Sequence, residues 1–148
     1  MKSNTRYNVF ESNSSSVHTL TISRQWRELS KFIPDENDYI HIDYGYFGKN
    51  NRIYDTQYDK LSYLVTLCAY CANLYGQTKD TYQFKCIEEA VKKYTGCNGI
   101  IIDEEVEPEI DHQSCPWDGD ITFINIYDED SVIDFVFNRY AALKTTCD

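Results

Sequence analysis

A chain of 148 residues with 42% hydrophobic and 15% aromatic side chains has enough apolar surface to form a core, which excludes an intrinsically disordered protein. Its formal net charge of −10 argues against ordinary nucleic-acid binding, because that affinity comes from clustered Lys and Arg. We therefore expect one domain over residues 1–148, without direct nucleic-acid contact, whose acidic and tyrosine-rich surface suits a protein partner.

The expected compartment and metal content depend on three signals in the sequence: a signal peptide, a membrane-spanning segment and a metal-ligand motif. Met1–Asn8 is too polar for a signal peptide, and no apolar run reaches the roughly 20 residues that span a membrane. We expect a soluble, cytoplasmic protein with reduced cysteines and no membrane contact. Cys68 and Cys71 form a C-x-x-C pair, but no second ligand pair follows, so we expect neither a metal nor a cofactor.

The most distinctive stretch is Phe10–Leu20, where serines and an asparagine precede a β-branched segment. Asn13–Ser16 predicts a tight polar loop, and Val17–Ile22 predicts a strand with His18 at the mouth of that loop. Such N–H and O–H donors beside an imidazole can bind an oxyanion or activate a hydroxyl. The alternative is a solvated turn whose serines bond to their own backbone.

Three segments resemble a family of small, largely uncharacterised proteins carried by phages and mobile elements of Gram-positive bacteria. Glu11–Thr19 is similar to the opening Glu-Thr-Asn-Ser-Ser-Ser-x-His-Ser run of that family, and Ile110–Ser114 and Phe135–Asn138 are similar to later segments. The resemblance implies a bacterial host cell and a role against host defence, such as that of an anti-CRISPR protein. The residues that it assigns to a shared site or structural motif are Glu11, Asn13, Ser15, Asp111, Gln113, Ser114 and Asn138.

A short helix is predicted after the first strand. Ser23 is its cap, its apolar residues recur at helical spacing, and Pro34 ends it. Its inward residues are Trp26, Leu29 and Ile33.

The next segment predicts a turn at Asp35–Asp38 and a half-buried strand at Tyr39–Tyr44. Gly45–Asn51 is rich in turn formers and predicts a loop. Alternation in the strand places Ile40 and Ile42 on one face, and His41 and Asp43 on the other.

Two central helices follow. Thr56 and Asp59 form a capping box for the first, which ends at Gly76, and Asp80 caps the second, which ends at Gly96. The apolar stripe of the first helix comprises Leu61, Leu64, Val65, Cys68, Cys71, Ala72 and Tyr75. The inward residues of the second are Phe84, Ile87, Val91 and Tyr94.

The last third contains two predicted strands, Gly99–Asp103 and Ile121–Tyr127, of which the first is apolar enough to be covered on both faces. Residues 103–111 are dense in carboxylates, and their mutual repulsion predicts an exposed loop. Ser131 and Asp134 open a final helix, although Phe135–Phe137 could equally form a strand. The inward residues of that helix are Val132, Val136, Phe137 and Tyr140.

These elements predict an α+β fold: a small, mainly antiparallel sheet of about four strands packed on the two central helices, plus a C-terminal helix. No Gly-rich phosphate loop, nucleophile elbow or H-E-x-x-H motif is present, so no known enzyme signature accompanies the fold.

Three functions remain open. The leading one is an inhibitor that lays an acidic surface over the basic nucleic-acid channel of a bacterial defence nuclease, such as a CRISPR effector. The second is a small metal-independent hydrolase or nuclease with His18 and His112 as general base and acid, and with Ser14 and Ser16 holding an oxyanion. The third is a structural role for both polar motifs, in which the serine loop packs against the Asp111–Ser114 turn. The sequence does not indicate the oligomeric state. The residues assigned to partner binding are Asp103, Glu104, Glu105, Glu107 and Glu109.

Overall fold

The computed structural model describes residues 3–5, 16–22, 31–48, 51–72, 77–110 and 124–147. These residues form a mixed α and β fold with three α-helices and eight strands, which confirms the predicted class at that level. The helices are α1 (Gln57–Ala72), α2 (Tyr82–Thr95) and α3 (Glu129–Val136), and Thr78–Asp80 is a short 3-10 helix. The strands are β1 (Ser3–Thr5), β2 (Ser16–Ile22), β3 (Tyr39–Ile42), β4 (Tyr46–Phe47), β5 (Arg52–Tyr54), β6 (Gly99–Ile102), β7 (Glu109–Ile110) and β8 (Ala141–Cys147).

A four-stranded antiparallel sheet has the order β1-β2-β8-β5. The strand β8 pairs over its full length with β2, from Ala141 opposite Ile22 to Cys147 opposite Ser16. On its other side it pairs with β5, where its Leu143 lies opposite Tyr54. The sequence pattern predicts β2 but neither β5 nor β8. It therefore misses β8, which lies between β2 and β5 and pairs with both.

Two parallel pairs, β3–β6 and β4–β7, accompany the sheet. Residues 39–42 pair in register with residues 99–102, which confirms the strands predicted in these two segments. Ile40 and Ile42 are buried and His41 is exposed, as the alternation predicts. The loop predicted at Gly45–Asn51 is wrong for β4, whose alignment with β7 is supported by a 3.1 Å bond from the Glu109 N–H to the Gly45 carbonyl.

The helix α1 lies in the middle of the core. The Thr56 hydroxyl accepts the Asp59 N–H at 3.0 Å, which confirms the predicted cap. Every side chain of residues 60–69 is buried, although a single apolar stripe was predicted, because other elements cover the helix on all sides. Its buried polar groups have partners: Ser62 donates to the Asp43 carbonyl, and Thr66 accepts the Gly45 N–H.

The helix α2 begins one residue later than predicted. Its cap is Thr81, whose hydroxyl accepts the Phe84 N–H at 3.1 Å, whereas Asp80 belongs to the preceding 3-10 helix. Gly96 ends it in the left-handed region, with φ at 80°. Phe84, Ile87 and Val91 are fully buried, as predicted. The prediction that Tyr94 faces inward is wrong, because the residue is 55% exposed, although its ring stacks on the buried Phe137.

The helix predicted after the first strand falls mostly on residues 23–30, outside the described ranges. Its last apolar residue, Ile33, lies in non-helical backbone and is 90% exposed, so the prediction is wrong there. The turn at Asp35–Asp38 is confirmed by a 2.9 Å bond from the Asp38 N–H to the Asp35 carbonyl.

The strand predicted at Ile121–Tyr127 is wrong for residues 124–127, and residues 121–123 lie outside the described ranges. Ile124 and Ile126 are buried, but the Asn125 side chain accepts the Tyr127 N–H at 3.0 Å. This local bond forms a turn in place of a strand ladder.

The helix α3 is capped by Asp128, whose carboxylate accepts the Asp130 N–H at 3.1 Å, and Ser131 therefore lies inside the helix. Val132 and Val136 are buried, as predicted. The alternative of a strand at Phe135–Phe137 is wrong for its first two residues, which are helical. A short turn then leads into β8, so this last helix is followed by a strand.

Candidate functional site: the acidic loop

The parallel pairing of β3 with β6 places the ends of these two strands side by side. Asp43 follows β3 and Asp103 follows β6, so two carboxylates leave the same edge of the pair. The Asp103 N–H donates to the Ile42 carbonyl at 2.9 Å, which continues the pairing to that point. We call residues 103–109 the acidic loop, because five of its seven residues are Asp or Glu.

The Asp43 carboxylate binds backbone N–H groups of the acidic loop. Its Oδ1 accepts the N–H groups of Glu105 and Val106, each at 3.2 Å, and its Oδ2 also accepts that of Glu105 at 3.2 Å. Glu104 adopts a positive φ of 58°, a left-handed conformation that can turn successive N–H groups toward one anion. Since these bonds involve an ionised acceptor, they are stronger than neutral ones.

Asp43 is itself held in place by three further bonds. Its carboxylate accepts the Tyr44 N–H at 2.8 Å, and its own N–H donates to the Tyr58 hydroxyl at 3.1 Å. Its carbonyl accepts the Ser62 hydroxyl at 2.7 Å. Two of these partners lie on α1, so the acidic loop is connected to the core helix through one residue.

His41 forms a second link to the acidic loop. Its Nδ1 lies 2.8 Å from Oδ1 of Asp103, and its Nε2 lies 2.8 Å from Oδ2 of Asp35. These two carboxylates raise the pKa of His41, chiefly through the hydrogen bond to Asp103. The pKa of Asp35 is lowered, first by the Tyr39 N–H bond and then by His41. The protonated ring can donate to both carboxylates at once.

The outer surface of the acidic loop is exposed. Val106 is 46% exposed among the carboxylates, whereas Pro108 and Ile110 are buried and fix the far end of the loop. Of the residues predicted to bind a partner, all five lie here and are exposed: Asp103, Glu104, Glu105, Glu107 and Glu109. The exposed loop predicted at residues 103–111 is therefore confirmed through Glu107, and its last described residues form β7.

Comparisons of the chain with protein-family models, with curated proteins and with solved structures find no match. The function is therefore inferred from the geometry of this chain.

The two polar motifs of the sequence are only partly described. His18 lies in β2 with its backbone opposite Thr145, and Ser16 lies opposite Cys147, but their side chains are outside the described part of the structure. The remaining motif residues before β2 and after β7 also lie outside it, namely Glu11, Asn13, Ser14, Ser15, Asp111, His112, Gln113 and Ser114. A joint site of His18 and His112, and with it the enzyme and structural alternatives, stays a prediction.

Asn138 ends the C-terminal segment Phe135–Asn138, which lies within the described residues. Its side-chain oxygen accepts the Tyr140 N–H at 2.9 Å, and its carbonyl accepts the Lys60 ammonium at 2.9 Å. It therefore shapes the turn between α3 and β8, which is a structural task.

Sequence reasoning missed three residues that build the site: Asp35, His41 and Asp43. The alternation in β3 places His41 and Asp43 on the solvent side, but it does not reveal that β6 lies beside them. The apolar run at residues 99–102 signals a covered strand of the kind found in parallel pairs, but it does not show which segment lies beside it.

Metal binding and membrane insertion have no candidate among the residues that the structure describes. These residues hold no group of three or more His, Cys, Asp or Glu side chains placed to ligate a metal. Burial raises the pKa of the Cys68 thiol, which keeps it protonated and makes it a poor ligand. No helix within the described ranges is both long and apolar enough to cross a membrane.

Proposed function

We propose that the protein is an inhibitor that binds, through its acidic loop, the basic nucleic-acid channel of a bacterial defence nuclease. The observation that carries the proposal is the ordered conformation of the loop, whose backbone N–H groups are bound by Asp43 and whose Asp103 carboxylate is bound by His41. A loop that is already ordered loses little conformational entropy on binding, so more of its interaction energy contributes to affinity.

The charge of the loop suits a partner that normally binds phosphates. A basic groove attracts a dense array of carboxylates as it attracts nucleic acid, and occupation of the groove excludes the natural ligand. Val106 supports this role, because an exposed apolar side chain at the centre of a charged patch can be desolvated by the partner.

The class of partner is supported by the resemblance of Glu11–Thr19 to proteins of phages and mobile elements, where inhibitors of host nucleases such as CRISPR effectors are useful. The proposal places the protein in the cytoplasm of a bacterial host cell, as a protein-binding factor that does not contact nucleic acid. It also takes the four-stranded sheet to rest on α1 and α2, as the sequence predicts.

Charge reversal tests the proposal. Replacing Glu104, Glu105, Glu107 and Glu109 by Lys should abolish capture of the nuclease from a bacterial lysate at low salt, measured by affinity purification and mass spectrometry. With the purified nuclease, the loss of affinity should be larger at low than at high salt, because exposed charges are screened within roughly 10 Å at 0.1 M.

A matched variant carries the same change of net charge elsewhere. Asp80, Glu89, Asp130 and Asp134 lie on or beside α2 and α3, outside the acidic loop, and their exchange for Lys should leave capture intact. Circular dichroism must show that both variants fold. Equal loss of capture in both variants would show that net charge, and not this loop, attracts the partner. If the loop variant still captured the nuclease, the acidic loop would serve only to keep the protein soluble.

A further inference from the structure

A cavity of about 260 Å³ lies apart from the acidic loop, where the segment before β3 meets the beginning of α1 and the end of α2. Ligand sites in proteins commonly measure about 300–1,000 Å³, so this smaller cavity has room for one ring system, and the rest of a larger ligand must extend beyond its rim. The wall formed by the end of α2 contains Tyr94, the residue that the sequence pattern placed in the core.

Gln57 gives the cavity a hydrogen-bonding group that no described residue engages. Its side chain lines the cavity and is only 8% exposed, yet its carboxamide has no hydrogen-bond partner among the described residues. A buried amide is destabilising unless its donor and acceptor are paired, and among the described residues this group is left to bond the donor and acceptor of a ligand. Thr95, also in the lining, differs because its hydroxyl donates to the Val91 carbonyl at 2.7 Å and accepts the Cys97 N–H.

Aromatic rings give the cavity flat walls. Tyr94 stacks on Phe137 with centroids 4.1 Å apart and planes 16° apart. Phe32 meets the same Phe137 edge to face, with centroids 6.1 Å apart. Rings in these orientations favour a planar ligand, which can stack on one face or meet an edge.

Lys31 gives the rim a positive charge. It is exposed and is the one charged side chain among the described lining residues, in a chain whose net charge is −10. Because the described part of the lining contains no carboxylate, an anionic group at this rim is attracted by Lys31 and is not repelled by any described lining residue.

We propose that the cavity binds a nucleoside monophosphate. The base lies against the aromatic walls, the Gln57 carboxamide bonds the donor–acceptor edge of the base, and the phosphate reaches Lys31. Each nucleobase presents adjacent donors and acceptors, and a Gln carboxamide matches the N6 and N7 atoms of adenine with two bonds, so AMP is the first probe. This site is independent of the acidic loop and of the inhibitor proposal.

The test is titration of the intact protein with AMP, followed by amide chemical shifts in NMR spectra. We expect saturable shifts confined to the cavity residues. Gln57→Leu should fold as well as the wild type, because no hydrogen bond to a described residue is lost, and should weaken AMP binding about tenfold. Lys31→Glu should weaken AMP binding by a similar factor at low salt but leave the binding of uncharged adenosine unchanged.

Gln83→Leu is the matched control, since it makes the same exchange on α2 outside the cavity and should bind AMP as the wild type does. The proposal is overturned if neither AMP nor the other three common ribonucleoside monophosphates give saturable shifts. It is also overturned if the two Gln variants lose affinity equally, or if Lys31→Glu weakens adenosine as much as AMP.

Discussion

The ammonium nitrogen of Lys60 lies 2.8 Å from the carbonyl oxygen of Ala141, which ties the first turn of α1 to the first residue of β8. A second bond of 2.9 Å reaches the Asn138 carbonyl, and the ring of Phe135 lies 5.8 Å from the ammonium. Lys60 is fully buried, so these acceptors replace the water that an exposed ammonium would have.

Lys60→Met is expected to lower the free energy of unfolding by about 2–4 kcal/mol, because Met keeps the volume but leaves two carbonyl oxygens without this donor. Urea unfolding followed by circular dichroism measures the change. The control is Lys85→Met on the exposed face of α2, which should change stability by no more than about 0.5 kcal/mol. Equal effects of the two variants would mean that the Lys60 bonds do not stabilise the fold.

The pH dependence of His41 gives a second prediction. The folded pKa of His41 is raised above its ordinary value of 6.5, so its contribution to stability is fully present below 6.5 and is lost as the pH rises through the raised pKa. The pKa of Asp35 is lowered from 3.8, so its contribution is present above 3.8 and is lost as the pH falls through the lowered pKa. The stabilising effect of this contact is therefore greatest between these two ordinary values.

An NMR titration of the His41 ring protons should show a midpoint above 6.5 in the wild type. Exchange of Asp35 and Asp103 for Asn should move the midpoint down, since the acceptors that favour the imidazolium are then neutral. His41→Gln should destabilise the protein more at about pH 5.5 than at about pH 9. A midpoint unaffected by the two Asn substitutions would contradict the contact.

Asp43→Asn gives a third prediction, which concerns how well ordered the backbone of the acidic loop is. The amide keeps the shape of the side chain but loses the charge, so the N–H groups of Glu105 and Val106 should exchange with solvent about tenfold faster. Hydrogen exchange measured by NMR reports each amide separately. The Glu109 N–H, bonded to the Gly45 carbonyl, is a control within the same loop and should exchange at its wild-type rate. Unchanged rates at all three amides would mean that Asp43 does not order the loop.

Local signals in the sequence predicted several elements correctly. Alternation identified β3 with Ile40 and Ile42 inward, a threonine hydroxyl identified the cap of α1, and Gly96 identified the end of α2. Each of these depends on residues within a few positions of one another, which is the range over which propensity and periodicity act.

The missed elements depend on partners far away in the sequence. The segment Ala141–Cys147 has no strong alternation, and it is a strand because β2 and β5 lie on either side of it. The candidate site was found as a run of carboxylates, but Asp43 bonds to residues 62 and 63 positions later. Periodicity carries no information on that parallel pairing, so the residues that fix the loop could not be assigned from sequence.

The position of β8 between β2 and β5 has a consequence for synthesis on the ribosome. Thr19 of β2 bonds to Lys144 of β8, and 125 residues separate the two. The ribosome adds about 5–20 residues per second, so β2 is made several seconds or more before its partner strand exists. During that time its pairing edge is open to other chains, and a chaperone that covers β2 until β8 emerges should raise the yield of folded protein.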